Sequence, residues 1–251
     1  KSGSNSTHGI LLEGGVLKAK DVTIKNTTGY GIRNKGGQVT AENLLISKSL
    51  KAGGISNMLQ DHTGLPGVMD IKNLTVEEIR YNNVVVEGGT LTITDGHLAA
   101  SGTNNVKVTD GVLEMTNVDV LGNQPDVAGT NHTVYMTGGK IVAENVNISD
   151  GKVSCLRING ETAVFTGNKV SIKDATKYGI DQPIGEISIN NLTMSGNYYN
   201  INNAKGTIKL SNSTLGPTKS NNLRSKAGLI DLRNVVINAH TADHVKSVHA
   251  L

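Results

Sequence analysis

The residues that could catalyse a reaction or hold a metal are scattered along this chain of 251 residues, which includes seven histidines and one cysteine. His240 and His244 are four residues apart, which would suit a metal pair on a helix, but no helical periodicity surrounds them. No G-x-S-x-G motif marks a serine nucleophile. We therefore expect neither a metal site nor a cofactor. Cys155 is expected to be a small buried residue in the column of Val134 and Ile180.

Carboxylates are the other candidates, because enzymes that cleave polysaccharides pair two acids across the bond or use acids to hold calcium. The chain has no Asp-Asp step and no other motif of that kind. Its Asp-Gly pairs, which begin at Asp95, Asp110 and Asp150, are typical of turns. The sequence thus predicts no catalytic site.

Composition favours short strands and tight turns. The chain has 30 glycines, no tryptophan, one phenylalanine and six tyrosines, and 37% of its residues are hydrophobic. No run approaches the eighteen apolar residues that a membrane-spanning helix needs. A single cysteine excludes an internal disulfide framework.

Positive charge is concentrated towards the C-terminal end. Residues 201–251 carry a net charge of +5, whereas the first 200 residues carry −2. A patch of these side chains could bind sulfated glycans or an acidic protein surface, and a solvated face is the alternative. Nucleic acid is not expected, because no aromatic residues are interleaved with the basic ones. The basic candidates are Lys205, Lys209, Lys219, Arg224, Lys226 and Arg233.

A short unit recurs along the whole chain. Its clearest copies are "GGQVTAENLLISKS" at 36–49 and "GGKIVAENVNISDG" at 138–151. The unit reads G-x-Φ-x-Φ-x-N/D-Φ-x-Φ, where Φ is apolar, and the seventh copy has Thr162 in place of glycine. Six residues after each start lies an Asn or Asp that is expected to turn the backbone and to form one column: Asp21, Asn43, Asn73, Asp95, Asn117, Asn145, Asn168, Asn191, Asn212 and Asn234.

The alternation of apolar residues on both sides of this Asn or Asp predicts two short strands with one buried face. A third strand is expected before each glycine, where an apolar residue usually lies five positions upstream, as Ile10 and Ile32 do. Three strands in roughly 22 residues, repeated ten times, predict an all-β parallel solenoid of about ten coils in a single domain spanning residues 1–251.

Two insertions interrupt the repeat, at residues 47–67 and 121–133. Both follow the strand after the Asn turn, so we expect them to project from the same corner. Inserted loops on one side of a repeat protein are often its binding face, and drift at a tolerant position is the alternative. The candidate binding residues in them are Asp61, His62, Asp126 and His132.

The repeats "GGVLKAKDVTIKN" and "GGKIVAENVNISD" resemble the right-handed β-helix of pectin-lyase-like proteins and, more narrowly, the passenger domains of bacterial autotransporters (type V secretion). The resemblance covers nearly the whole chain and implies export to the cell surface or the medium. It also implies a C-terminal outer-membrane barrel, which is not in this sequence. One subgroup acts as angiogenic factors on host endothelium. The chain starts "KSGSNSTHG" and is interpreted as a processed segment.

We therefore expect a secreted or surface-exposed passenger that binds host cells and is not an enzyme. Its partner is expected to be a host surface protein or a sulfated glycan. A polysaccharide lyase or hydrolase of the pectin-lyase-like type is one alternative, and a structural stalk is another.

Overall fold

The computed structural model describes residues 7–123 and 131–238. Within these residues every regular element is a β-strand, and the sixteen strands belong to one continuous sheet of parallel pairs. The chain is thus a right-handed parallel β-helix of about ten coils, about 22 residues apart, as the sequence predicts. A coil here means one full turn of the solenoid.

Each coil contributes either two strands or one long bent strand. Coils 4, 5, 7 and 8 are single long strands, and each other coil is a short strand followed by a longer one. The strands are β1 (Ile10–Glu13), β2 (Val16–Lys25), β3 (Ile32–Lys35), β4 (Gln38–Ser47), β5 (Ile55–Met58), β6 (Val68–Glu77), β7 (Val84–Ser101), β8 (Val106–Asn123), β9 (His132–Met136), β10 (Lys140–Ser149), β11 (Ser154–Lys173), β12 (Tyr178–Ser195), β13 (Tyr199–Asn203), β14 (Thr207–Leu215), β15 (Leu223–Ser225) and β16 (Leu229–Ile237).

The solenoid has three faces, which we name by their place relative to the glycine that starts each repeat. Face A is the strand before the glycine, face B runs from the glycine to the Asn or Asp corner, and face C follows that corner. In coil 2, β3 is face A, and β4 carries faces B and C on either side of Asn43. Each strand pairs with its equivalent one coil along, as Ile32 does with Ile55 and Val39 with Met69.

The core is a set of rows in which inward side chains stack on their equivalents in the next coil. On face B, Ile71, Ile93 and Met115 form one such row, and each is at most 1% exposed. Aliphatic side chains of similar volume can repeat at the ~4.8 Å coil spacing without leaving gaps. A core of this kind needs no tryptophan.

Buried amides close both corners of face A. Asn34 and Asn57 follow one another at the corner that leaves the face, and Asn34 Nδ2 donates to Asn57 Oδ1 at 2.9 Å. At the corner that leads into the face, Asn83 Nδ2 donates to Asn105 Oδ1 at 2.6 Å. All four side chains are fully buried. They satisfy backbone carbonyls that a corner would otherwise leave without partners, as Asn57 Nδ2 does for Gly67 O at 3.0 Å.

The predicted Asn and Asp column lies at the corner between faces B and C. Nine of the ten predicted residues have a left-handed backbone, with φ between 49° and 57°. Neighbouring side chains are linked along the rod: Asn73 donates to Asn43 at 2.8 Å, and Asn145 donates to Asn117 at 2.8 Å. The predicted register of these nine coils is confirmed.

The prediction that Asn168 belongs to this column is wrong. Lys169 takes the left-handed conformation in coil 7, with φ of 53°. Alignment on Thr162 placed this repeat one residue early, because the register of β11 is irregular before Val164. Asn168 still links the coils from the preceding position, since it donates to Glu144 at 2.9 Å and accepts from Asn191 at 2.9 Å.

The corrected register turns Phe165 and Gly167 towards the core, opposite Ile187 and Ile189. Phe165 is fully buried. A Cβ on Gly167 would lie 3.2 Å from Phe165 Cε1 and 2.7 Å from Val170 Cγ2. The phenylalanine ring therefore fills the space that an aliphatic side chain occupies in other coils.

A second left-handed corner follows the first by five residues, and the repeat pattern did not predict it. Its members share a backbone conformation but no residue type, so the sequence carries little signal for it. They are Asn26, Lys48, Glu78, Ala100, Gly122, Asp150, Asp174 and Gly196.

The two insertions emerge from different corners, which corrects the expectation that they share one. Two residues separate β3 from β4, but nine separate β5 from β6, so the first insertion lies mainly at the corner that leaves face A. The second lies between Asn123 and His132, at the corner that leads into face A. A corner tolerates extra residues wherever the strands on both sides keep their register, so the repeat alone does not fix which corner is used.

Candidate functional site: the outer side of face A

Two rows of side chains alternate with the core residues along face A. The strand register aligns Tyr135, Arg157, Asp181, Asn202 and Arg224 in one row, which we call row 2. Its earlier members are Leu11, Arg33, Ser56, Val85 and Lys107. The other row, which we call row 1, lies three residues upstream of row 2 in each coil. Its members in coils 6 to 9 are His132, Ser154, Tyr178 and Tyr199. The equivalent places in earlier coils hold His8, Tyr30, Asn82 and Asn104.

All six tyrosines of the chain lie on face A or directly before it. Tyr30, Tyr135, Tyr178 and Tyr199 belong to the two rows, and Tyr81 and Tyr198 immediately precede row 1. The arginines follow the same distribution, because Arg33, Arg157 and Arg224 lie in row 2 and Arg80 is next to Tyr81. The remaining arginine, Arg233, is on face B. Planar rings and guanidinium groups are thus concentrated on one of three faces.

A pocket of about 250 Å³ opens on face A between coils 5 and 7, lined by Asn104, His132, Tyr135, Val153 and Arg157. His132 Nδ1 lies 2.6 Å from Ser154 Oγ, and the His132 backbone N–H donates to Asn104 Oδ1 at 3.0 Å. The rings of His132 and Tyr135 are 5.5 Å apart between centroids. These contacts hold the imidazole in one position beside the pocket.

His132 is uncharged at neutral pH. Burial lowers the pKa of His132 to about 4, and the charge of Arg157 acts in the same direction. The imidazole therefore offers hydrogen bonds without a charge, and the positive charge at this pocket belongs to Arg157.

Arg157 is held from one side by Asp181, with which it forms an ion pair. The Asp181 side chain is 6% exposed and also accepts a hydrogen bond from Asn202 Nδ2 at 2.8 Å. Arg157 keeps 28% of its side chain exposed and lines the pocket. The carboxylate pairs with one nitrogen of a guanidinium group that has five N–H donors, so donors remain for a ligand in the pocket.

Three tyrosine rings form a cluster one and two coils beyond the pocket. The rings of Tyr178 and Tyr199 are stacked, with centroids 5.4 Å apart and an interplanar angle of 27°. Tyr198 meets Tyr199 edge-on at 4.8 Å and is 42% exposed. Lys177 Nζ lies 4.9 Å from the Tyr178 centroid. We call Tyr178, Tyr198 and Tyr199 the tyrosine platform.

A second aromatic and cationic group lies at the other end of face A. His8 and Tyr30 are stacked with centroids 5.9 Å apart, and the Arg33 guanidinium is 5.7 Å from the Tyr30 centroid. Burial raises the pKa of Tyr30, and burial followed by the charge of Arg33 lowers the pKa of His8. Arg33 Nη2 also contacts Met58 Sδ at 3.7 Å.

The first insertion borders face A rather than standing free of it. An antiparallel bridge between Leu59 and Pro66 closes it into a hairpin. Asp61, at its tip, forms an ion pair with Lys35, and the hydrogen bond from that ammonium lowers the pKa of Asp61. His62 is exposed beside it. Asp126, the candidate in the second insertion, lies outside the described residues, whereas His132 lies in the pocket of face A.

The structure does not bring the six basic candidates of the C-terminal end into one patch. Lys209 and Arg233 line a recess on face B together with Asp231, whose carboxylate lies 3.1 Å from Arg233 Nη2. The other four lie in three places. Arg224 is on face A, Lys205 and Lys226 are at the corner that leaves face A, and Lys219 is at the corner that leads into it.

In residues 7–123 and 131–238, no group of three or more His, Cys, Asp and Glu side chains is placed to hold a metal ion. The same residues contain no helix long and apolar enough to cross a membrane. Cys155 is buried as expected, beside rather than in the column of Val134 and Ile180, where Leu156 lies. Burial raises the pKa of the Cys155 thiol to about 12, so the thiol is a weak nucleophile at neutral pH.

Sequence reasoning missed the tyrosines and most of the arginines of face A. Their signal was a fixed offset from the apolar residue that precedes each glycine. Tyr178 and Tyr199 stand two residues before Ile180 and Ile201, and Arg224 stands one residue after Leu223. Aligning the polar positions as well as the apolar ones would have shown that they share a face.

No protein-family model matches the chain, and no curated protein sequence matches it. Among solved structures, it is similar to the A-module of mannuronan C-5 epimerase from Azotobacter vinelandii, with a TM-score of 0.44 and 11% sequence identity. That match covers 90% of this chain and 79% of the other. No function follows from a likeness of this level, and the fold assignment depends on the strand pairing of the chain itself.

Proposed function

We propose that this chain is a non-catalytic binding module, the passenger domain of a bacterial autotransporter, that attaches to an acidic glycan of the sulfated type on host cells through face A. The observation that supports it is the concentration of all six tyrosines and four of the five arginines on or beside that face. The resemblance of the repeat units to passenger domains supports the surface location. Antibodies against the chain should label intact cells of the source bacterium or its culture medium.

The chemistry of these side chains suits a charged sugar. A tyrosine ring offers a flat apolar surface and a hydroxyl group, and a guanidinium fork binds a planar anionic group through two hydrogen bonds. Strands that are hydrogen-bonded on both sides hold such groups in fixed positions. Little conformational freedom is then lost on binding, which favours affinity.

The test compares two double variants that remove the same charge from different faces. Lys107→Gln with Arg224→Gln removes two positive charges from face A, and Lys209→Gln with Arg233→Gln removes two from face B. Binding to immobilised heparin is expected to weaken several-fold more in the face A variant. Circular dichroism and thermal melting confirm that both variants are folded.

Equal weakening in the two variants would assign the binding to overall charge and contradict the proposal for face A. Failure of the unaltered protein to bind heparin, chondroitin sulfate or a uronate polymer would exclude an acidic glycan. Retained binding to host cells in that case would instead favour a protein receptor, with the hairpin around Asp61 as the next surface to alter.

A second candidate is glycan cleavage of the lyase type, which the pocket on face A favours. His132, with a pKa of about 4, is neutral and can accept a proton, and Arg157 lies beside it. Incubation with uronate polymers tests it through the ultraviolet absorbance of an unsaturated product. The binding proposal predicts no product. Product formation that is lost in His132→Asn would replace binding by catalysis.

A further inference from the structure

The pocket and the tyrosine platform are two parts of one surface. Both lie on face A, and Tyr178 of the platform is two coils from His132, or ~9.6 Å along the rod at the spacing of parallel strands. The row 1 residue between them is Ser154, which is small and fully buried. No bulky side chain of row 1 therefore separates the two parts.

We infer that an acidic oligosaccharide lies along the rod axis on face A, with an anionic group in the pocket at Arg157 and a sugar ring further along the chain on the tyrosine platform. This inference rests on the proposed function and adds the position, direction and minimum length of the ligand. A monosaccharide can occupy one part alone, whereas a longer oligosaccharide occupies both.

The pocket provides the groups that an anion needs. Arg157 supplies the charge: its Nη1 pairs with Asp181, and its side chain stays 28% exposed and lines the pocket. The pocket volume of about 250 Å³ fits a carboxylate or sulfate group with part of its sugar ring rather than a polymer. One arginine already paired with a carboxylate gives modest affinity, so further contacts along the chain are needed.

The platform provides a surface for such contacts. Tyr198 is 42% exposed and is held edge-on against Tyr199, so its ring has a fixed orientation. Asn202, in row 2 of the same coil as Tyr199, donates through Nδ2 to Asp181 at 2.8 Å and so links that coil to the carboxylate that pairs with Arg157.

The test uses heparin-derived oligosaccharides of increasing length and two matched tyrosine variants. Tyr198 and Tyr81 both precede row 1 and are 42% and 43% exposed, but Tyr81 is in coil 4, away from the pocket and platform. Calorimetry is expected to show that Tyr198→Ala weakens the hexasaccharide about 3- to 10-fold, a value typical of one aromatic contact. Tyr81→Ala is expected to lower the hexasaccharide affinity by a smaller factor than Tyr198→Ala, and the disaccharide affinity is expected to be unchanged in either variant.

The pocket is tested separately. Arg157→Lys keeps the charge that pairs with Asp181 and removes the fork, so it is expected to weaken the disaccharide and the hexasaccharide by the same factor. An anion in the pocket also stabilises the protonated imidazole. The NMR titration of His132 should therefore move to higher pH when the disaccharide is added, while the His97 resonance on face C stays in place.

The inference would be overturned if Tyr198→Ala and Tyr81→Ala lowered the hexasaccharide affinity by the same factor. It would also be overturned if the disaccharide did not change the pH at which His132 titrates. In either case acidic glycan binding, and with it the proposed function, would still hold. If no heparin oligosaccharide or longer acidic glycan binds, both fall together.

Discussion

Single residues decide where this chain turns. Sixteen non-glycine residues in the described part of the chain have a left-handed backbone, which costs most L-residues roughly 1 to 2 kcal/mol. Asparagine and aspartate reduce that cost because their short side chains bond locally. In the column at the corner between faces B and C, their amides also link neighbouring coils, as Asn234 does with Asn212 at 2.7 Å. Lys169 is the member of that column without this advantage.

Lys169→Asn should therefore stabilise the protein. We expect the free energy of unfolding to rise by about 0.5 to 1 kcal/mol, since asparagine tolerates φ of 53° better than lysine. The lost ion pair with Glu144, at 3.6 Å on an exposed surface, offsets little of that gain. Urea unfolding measures the change. Lys169→Ala is the control. If this variant were stabilised as much as Lys169→Asn, relief of backbone strain would not be the cause.

His132 makes stability depend on pH. Its pKa of about 4 in the folded chain lies below the ordinary 6.5, so between these values the unfolded state binds a proton that the folded state does not. The contribution of His132 is fully present above pH 6.5 and is lost as the pH falls towards 4, on the order of 2 to 3 kcal/mol. The urea midpoint should fall less between pH 7 and pH 4.5 in His132→Gln than in the unaltered protein. An equal fall in both proteins would assign the acid sensitivity to carboxylates.

At the scale of the strands, packing explains what could be predicted from the sequence. Alternating apolar residues are required on all three faces because each coil buries its inner side on the next, and so strands and corners were visible in the repeat. Coil 7 was misread because its irregular register around Asn159 shifts the rest of that coil by one residue. The outer residues of face A obey no packing rule, so the apolar pattern did not reveal Tyr178 or Arg157, and only their fixed offset from Ile180 and Leu156 places them on one face.

Phe165 and Gly167 should behave as a coupled pair. Phe165→Ile leaves part of the space above Gly167 empty, and Gly167→Ala places a methyl group 3.2 Å from the ring. Each change alone is expected to cost about 1 to 3 kcal/mol. The double variant should lose less than the sum by at least ~0.5 kcal/mol, measured by urea unfolding. Phe165→Ile combined with the distant Ile71→Val is the control, and its losses in the free energy of unfolding should add. Additive losses in the Phe165 and Gly167 pair would show that the two changes do not compensate.

At the scale of the whole molecule, the rod presents three different surfaces of equal length. The repeat predicted the rod and its ten coils, but not which face would carry function, because the predicted candidates were chosen by charge and by insertions. Those candidates divide among the faces: Lys209 and Arg233 line face B, while His132 and Arg224 belong to face A. Charge counted along a sequence says little about charge on a surface when each residue faces one of three directions.

Binding of an acidic polymer to the whole rod should fall with salt. The Debye length decreases from ~10 Å at 0.1 M to ~3 Å at 1 M, so exposed charges such as Lys107 and Arg224 lose most of their attraction. Contacts of the tyrosine platform are less affected. As the salt concentration rises, heparin affinity should therefore decline and then become constant. Removal of the Tyr198 ring should lower the affinity that remains at high salt. An affinity that does not respond to salt would contradict an electrostatic contribution.

The pairing of every coil with the next has a mechanical consequence. The hydrogen bonds between coils run along the rod, so a force applied to the two ends along that direction separates them one coil at a time rather than shearing whole sheets. Each released coil frees about 22 residues, which at full extension span roughly 75 Å. A cell attached through such a module would remain tethered while the rod lengthened in steps, and each lost coil could re-form when the load falls.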